Sequence, residues 1–442
     1  MSSLWNEGLQ PPKFPPVSRD MKTDVLIVGG GLAGLLCARA LRERGVDCML
    51  VEAERICGGV TENTTAKITS QHGAIYHKLL ARLGKEKAKL YWQANEAAVK
   101  QYRTLSQDID CDFEEREAYV YSRRPSGVVA KEWKALQRLG IPATHHDRLP
   151  LPFAITGAIC FEKQAQLHPL KLAYAIARDL PIFEKTKVLE LANGIAVTNR
   201  GRIRAEKIVI ATHFPILNKH GLYFLKQYQH RSYVLALRGV LSVKGMYVDE
   251  NEGGLSFRSY GDLLLLGGGS HRTGAKGGNW QELADFAALF YPRAEEVGRW
   301  ATQDCMTLDG MPYIGEYSSH TKGLYVATGF NKWGMTSSMV AADVLADLLT
   351  DRKNDYAALF SPSRTILHPQ LAANAGKAIW NLISLTAPRC PHMGCALKYN
   401  RAEHTWDCPC HGSRFDENGK LLDNPATGDH PTITARQKNH PH

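Results

Sequence analysis

Residues 24–52 read DVLIVGGGLAGLLCARALRERGVDCMLVE, and this stretch decides the fold. An apolar run from Asp24 to Val28 has the composition of a buried strand and enters Gly29-x-Gly31-x-x-Gly34. An amphipathic helix is expected to follow to about Arg44, then a second strand from Asp47 to Val51 ending at Glu52. Gly29 permits the tight turn, Gly31 lets the backbone approach a pyrophosphate at the helix N-terminus, and Gly34 permits close helix–strand packing. Glu52, twenty-three residues after Gly29, is placed to bind ribose hydroxyls. The glycines alone would be a weak signal. With strand, helix, strand and terminal acid around them, they predict a dinucleotide site in a Rossmann-like sheet.

The other end of the chain carries Cys390-Pro-His392-Met-Gly-Cys395 and, after twelve residues, Cys408-Pro-Cys410-His411-Gly-Ser413. Cys390 with His392, and Cys408 with His411, have the spacing that holds a Rieske [2Fe–2S] cluster, in which two histidines replace two cysteines on one iron and raise the potential. Zinc is the alternative for a Cys/His quartet, but it leaves Cys395 and Cys410 unexplained and does not ask for Gly-Ser after the last histidine. Cys395 and Cys410 resemble the pair that forms a loop-to-loop disulfide in high-potential Rieske proteins. The same resemblance implies that Ser413 donates toward a bridging sulfide. The most oxidising relatives have a tyrosine where this chain has Phe415, so the expected potential lies below the top of the range. A cluster of this kind passes single electrons, so the chain belongs to an electron path.

Glu52-Ala-Glu-Arg-Ile-Cys-Gly58-Gly59 resembles the loop after the second strand in FAD oxidoreductases of the D-amino-acid oxidase, glycine oxidase and sarcosine oxidase superfamily. Thr64-Thr65-Ala-Lys67-Ile-Thr-Ser-Gln71-His72-Gly73 resembles the narrower subgroup that carries a C-terminal Rieske domain. Gln166-Leu-His168-Pro169 opens an expected helix to Asp179, and Val188 ends a short strand that in this superfamily touches adenine through its backbone. Ile208-Val-Ile-Ala211-Thr212 returns to the nucleotide. Thr307-Leu-Asp309-Gly-Met-Pro312 and Gly329-Phe-Asn-Lys-Trp333-Gly334-Met335-Thr336 line up with the loops that close on the flavin ring. The resemblance runs from Ser3-Leu-Trp5 to Pro425-Ala-Thr. It implies non-covalent FAD held by Gly29, Gly31, Gly34, Glu52, Gly59, Thr64, Thr65, Lys67, Val188, Thr212, Gly329, Gly334, Met335 and Thr336.

The expected fold class is α/β with an α+β substrate domain. A discontinuous Rossmann-like FAD-binding domain occupies 20–75, 155–215 and 300–352; 76–154 and 216–299 build an inserted antiparallel-sheet substrate domain. A linker and helix follow at 353–384, then a short all-β Rieske-type module at 385–442. Expected elements include a helix from Tyr76 to about Ser106, strands at Tyr233–Val240 and Leu263–Leu266, and helices at Met339–Leu349 and Gln370–Ile383. Ser361-Pro-Ser-Arg reads as linker. Nine residues separate Trp380 from Cys390, too few for the strands that precede the first cluster loop in complete Rieske domains. So short a module supplies little core. It is expected to pack on the flavoprotein body and to draw stability from its metal and disulfide. Gly267-Gly268-Gly269 also follows an apolar run, but Arg272 stands at the third glycine position, so no second dinucleotide site is expected.

At 44% hydrophobic and 22% charged residues, the 442-residue chain has an ordinary globular composition. It lacks an apolar stretch of membrane-spanning length and a basic-then-apolar N-terminus, so the expectation is cytoplasmic. The net charge of +10 is spread along the chain, with eight Lys/Arg against six Asp/Glu from residue 365 onward. The absence of a basic block interleaved with aromatics argues against nucleic acid. A mildly basic surface suits an acidic ferredoxin- or flavodoxin-like carrier, and equally suits plain solvation.

Sarcosine-oxidase-type enzymes hold the substrate carboxylate with a basic residue just after the G-F-x-x-x-G motif, where this chain has Met335-Thr336. The nearest basic candidates are Lys332 and Lys67. Lys67 either faces the flavin, where it would stabilise the anionic reduced ring, or makes a pyrophosphate or structural contact. His271 either reaches the active site or sits on a surface loop; with Lys67, Lys332 and Trp333 it completes the catalytic candidates. His72 and His77 read as a solvated or satisfied pair. Cys305 is out of register with the cysteine that attaches flavin in some sarcosine oxidases. Flavin plus cluster implies a dehydrogenase: small-molecule substrate to FAD, FAD to cluster, cluster to an external carrier. The superfamily implies oxidation of a C–N bond in an amine or amino-acid-like substrate. Flow in the opposite direction from a ferredoxin-like donor is the alternative. A Rieske oxygenase would need a two-His-one-carboxylate iron site, which the sequence does not supply.

Overall fold

Strand Met21–Val28 runs parallel to Arg202–Ile210 on one side and Cys48–Val51 on the other. Val25 and Ile27 face one apolar core, Leu26 and Val28 another, as a central parallel strand requires when both faces are covered. Leu324–Thr328 extends the parallel set beyond Arg202–Ile210, Ile182–Phe183 extends it beyond Cys48–Val51, and antiparallel Tyr313–Glu316 pairs with Leu324–Thr328. Helix Leu32–Glu43, with Leu35, Leu36 and Leu41 buried, packs against helix Gly334–Leu349. The computed structural model describes residues 3–217, 220–251, 253–277, 279–365, 370–372, 374, 376, 387–430 and 433.

A second sheet has nine strands, in the order Glu295–Thr307, Gln227–Arg238, Leu263–Arg272, Ser256–Tyr260, Met246–Asp249, Glu114–Ser122, Gly157–Gln166 and Lys67–Ile68, with Thr144–His146 paired to Gly157–Gln166. It is antiparallel except where Met246–Asp249 meets Glu114–Ser122, which run parallel. The triple glycine lies within the antiparallel strand Leu263–Arg272, which runs on to Arg272 before helix Asn279–Phe290 begins, so the glycines do not form a strand-to-helix turn. Helix Tyr76–Asp108 packs against helices Val128–Leu139 and Gly334–Leu349 and bends at Gly84, whose φ of 80° no helical residue adopts. The third sheet, Lys398–Asn400, Thr405–Asp407, Arg414–Asp416 and Leu421–Asp423, is a four-stranded antiparallel meander. Among the described residues, no helix is long and apolar enough to cross a membrane.

Several expectations need correction. Residues 157–166 and 300–307, assigned to the nucleotide domain, belong to the nine-stranded sheet, because its long strands run straight through the points where the chain crosses between sheets. Val188 begins a strand, Val188–Ala192, and does not end one. That strand turns back as Ile195–Thr198 through Asn193-Gly194, both at positive φ, the signature of a tight hairpin. The helix expected from Met339 starts at Gly334, directly out of the glycine loop. The Ser361-Pro-Ser-Arg segment is clamped: Arg364 donates to both Asp309 carboxylate oxygens at 2.7 and 2.8 Å and lies 3.9 Å over the Tyr313 ring. The helical run at 370–383 falls largely outside the described residues.

Candidate redox centre

The glycine loop has the geometry a pyrophosphate cradle needs. Gly29 has a φ of 113°, and a Cβ there would come within 2.6 Å of the Ala211 carbonyl oxygen; a Cβ on Gly34 would come within 2.0 Å of the Gly29 oxygen. Only glycine fits either place. Gly31 caps helix Leu32–Glu43 with extended backbone, and the Leu32 N–H donates to Thr61 Oγ1 at 3.1 Å. Glu52 accepts from the Gly30 N–H at 2.7 Å and from the Glu54 N–H at 2.9 Å, so it braces the loop from the next strand. Burial raises its carboxyl, and those N–H groups oppose the rise.

From this loop opens a cavity of about 1450 Å³. Gly29, Gly31, Glu52, Gly59, Val188 and Thr212 line it. Thr64, Thr65, Lys67, Gly329, Gly334 and Met335 line it too. Gly34 and Thr336 do not line it. Gly34 acts by packing, and the Thr336 hydroxyl is engaged with His72 Nε2 at 2.9 Å and the Thr69 carbonyl at 3.2 Å.

Of the catalytic candidates, Lys67, Lys332 and Trp333 reach the cavity and His271 does not line it. The His271 ring stacks on Tyr233 and its Nε2 lies 3.0 Å from the Tyr233 hydroxyl, which holds it on the sheet. Burial, then the neighbouring Arg258 charge, holds Lys67 down to about 7; its ammonium donates to Thr65 Oγ1 at 3.1 Å. Lys332, at a φ of 71°, donates to Ser270 Oγ at 3.1 Å. Trp333 stacks on His72 with ring centroids 4.9 Å apart, and burial holds that imidazole neutral, near 3, against the Thr69 carbonyl. His77 pairs separately with Glu132 at 2.7 Å, so the two histidines share no site. Cys305 lines the cavity as a thiol pushed up to about 12 by burial.

The sequence reading missed several groups around the cavity. Trp5 is fully buried and donates to the Thr64 carbonyl at 2.7 Å, and the equally buried Arg258 donates to the Thr65 and Ala66 carbonyls. Together they fix the segment that carries Lys67. Asp304 and His213 also line the cavity. The Trp5 motif and the Thr64–Lys67 motif each stood in the sequence, but nothing local joins them.

The second cradle lies against the first. The Cys390 N–H donates to the Cys395 carbonyl at 2.8 Å and the Cys408 N–H to the Ser413 carbonyl at 2.8 Å, closing two similar loops. Cys390 and Cys408 are buried, and the His392 and His411 rings stand 4.9 Å apart at 84°. Cys395 and Cys410 form a disulfide, which removes both as ligands although their sulfurs lie within 4.8 Å of Cys408 Sγ. Hydrogen bonding with Cys408, against burial, holds the Cys390 thiol below its ordinary range, helped by the Ser413 hydroxyl and the N–H groups of His392 and Met393. His411 Nδ1 is buried with no hydrogen-bond partner among the described residues. Two thiols, two imidazoles and an orphaned ring nitrogen suit an iron–sulfur cluster with mixed ligands.

The cluster module is docked. Arg231 donates to both carboxylate oxygens of Glu403, and Arg414 bonds Glu403, Asp407 and Asp423 at 2.7, 3.0 and 2.9 Å. Arg272 donates to the Pro409 and Cys410 carbonyls, and Gln303 Nε2 to the Gly412 carbonyl at 2.8 Å. Gln229 Nε2 donates to the His411 carbonyl at 2.9 Å, and Gln229 pairs across the sheet with Cys305 of the cavity wall. Asp423, Asn424 and Thr427 of the module line the cavity themselves.

The sequence profile of the family described as FAD dependent oxidoreductase matches residues 24–348, and that of the Rieske [2Fe-2S] domain matches 379–434. The chain is 33% identical to the putative Rieske 2Fe-2S iron-sulfur protein YhfW of Bacillus subtilis over 96% of both chains. It is 23% identical to gamma-glutamylputrescine oxidoreductase of Escherichia coli, over 82% of this chain and 93% of that one. Glycine oxidase from Geobacillus kaustophilus superposes with a TM-score of 0.66 at 22% identity, covering 78% of this chain and all of the other.

Proposed function

The chain belongs to the FAD-dependent oxidoreductase family and carries a C-terminal Rieske [2Fe-2S] domain, and from that premise we propose that it oxidises a C–N bond of an amine or amino-acid-like substrate and exports the electrons singly. FAD supplies a hydride acceptor for the carbon beside nitrogen, and the cluster supplies one-electron exit to an external acceptor. The observation that carries this reading is the shared wall: Gln229 holds the carbonyl of a cluster ligand while its strand partner Cys305 lines the cavity.

The residues divide the work as follows. The Gly29–Gly34 loop and Glu52 hold the dinucleotide. Lys67, fixed through Trp5 and Arg258, places positive charge where a reduced ring becomes anionic. The His72–Trp333 stack, neutral by burial, forms an apolar wall that excludes water from the reacting carbon. The mildly basic surface fits an acidic one-electron carrier such as a ferredoxin or flavodoxin as the acceptor.

An anaerobic screen of amines and amino acids tests the reading. The expected result is flavin bleaching followed by cluster reduction without NAD(P)H. If reduced ferredoxin alone charges the cluster and flavin, and no amine bleaches the flavin, electrons run the other way.

A further inference from the structure

Asp304 lies on strand Glu295–Thr307, opposite His230, and its half-buried side chain lines the cavity. Among the described residues no hydrogen bond or ion pair reaches its carboxylate. The cations whose charge it feels are Lys332, His213 and Arg231. Arg231 is committed to Glu403, Lys332 donates to Ser270, and His213 Nε2 is itself buried without a hydrogen-bond partner among the described residues. A carboxylate withdrawn from bulk water and left unpaired is costly unless a ligand completes it. At the place where relatives anchor a substrate carboxylate, Met335 offers no charge and the Thr336 hydroxyl is spent on His72 and Thr69.

We infer that Asp304 is a specificity-determining residue that seats a cationic nitrogen of the substrate, separate from the neutral amine whose neighbouring carbon loses hydride. The substrate class is therefore a diamine or another amine bearing a second positive charge. This rests on the amine-oxidising reading and narrows it. Among cavity-lining acids, Asp423 is neutralised by Arg414, whereas Asp304 has no such partner.

The test is equilibrium binding to the full-length holoprotein, with FAD and cluster absorption as the control for folding. The probe is n-butyltrimethylammonium, which lacks the nitrogen lone pair that hydride loss requires; pentanoate is its anionic counterpart. Wild type should bind the cation in preference to pentanoate. Asp304→Asn should weaken cation binding by about ten-fold or more without weakening pentanoate, and Asp304→Glu should restore most of it. Equal cation binding by wild type and Asp304→Asn, or a wild-type preference for pentanoate, overturns the assignment. If Asp304→Asn does not fold, the wild-type preference and a tighter cation complex in Lys332→Met decide the matter. Asp304-dependent cation binding with no amine able to bleach the flavin would leave this site standing and sink the proposed reaction. Amine oxidation unaffected by Asp304→Asn would do the reverse.

Discussion

At the scale of single residues, local spacing carries some chemistry and hides the rest. Gly34 and the ligand pairs Cys390/His392 and Cys408/His411 could be read from the sequence because each acts through neighbours a few positions away, and Gly29 could be read from the same motif although the carbonyl it clears belongs to Ala211. Asp304, Arg258 and Gln229 could not: each acts on a segment brought to it by the sheet, as Arg258 acts on Thr65 from 193 residues away. His271 misled because its place after a glycine run said nothing of the Tyr233 ring that holds it. Two substitutions test single groups. Phe415 is fully buried beside His430, and Phe415→Tyr should raise the cluster midpoint by adding a donor; an unchanged or lower value in a redox titration counts against this. A lysine held down to about 7 is charged below that pH and neutral above it. Lys67→Met should therefore lower the flavin midpoint at about pH 6 and change it little at about pH 8.5. Spectroelectrochemistry at both pH values would show an equal shift if the lysine charge did not matter.

Among the elements, the parallel strands and their helices followed from apolar runs and glycine placement, whereas the second sheet's full extent did not. Strand Glu295–Thr307 is thirteen residues long with mixed burial, so it lacks the clean alternation that marks a strand in sequence. The Asn193-Gly194 turn was a usable hairpin signal that moves Val188 from strand end to strand start. The docking of the short module was expected from its size, but the ion-pair network that holds it was invisible, since Arg231 and Glu403 lie in no motif. Burial opposes ionisation of Glu403, yet Arg231 and Arg414 hold it down to about 2 from an ordinary 4.5. The pairing therefore stabilises the fold fully above about pH 4.5 and loses about 3 kcal/mol as pH falls toward 2. Arg231→Met leaves Glu403 and Tyr233 buried around a missing charge and should cost roughly 3–5 kcal/mol. Denaturant unfolding followed through the cluster absorption reads this loss; a cost below about 1 kcal/mol would mean that the network is not what holds the module.

For the whole molecule, docking sets the module against the cavity, and on the proposed path electrons would need no domain swing between cavity and cluster. The two cradles share the strands Gln227–Arg238 and Glu295–Thr307, and the module closes part of the cavity with Asp423, Asn424 and Thr427. Gln229 is the direct link, with one amide reaching both the His411 and Asn424 carbonyls. The most direct test is anaerobic rapid mixing of an oxidisable amine with wild type and with Gln229→Leu, following flavin absorbance and the electron paramagnetic resonance of the reduced cluster. Wild type should lose flavin colour first and gain the cluster signal next, and Gln229→Leu should keep the first phase while slowing the second. Cluster reduction at the same rate in both proteins, or flavin reduction that never reaches the cluster, would contradict the shared-wall path.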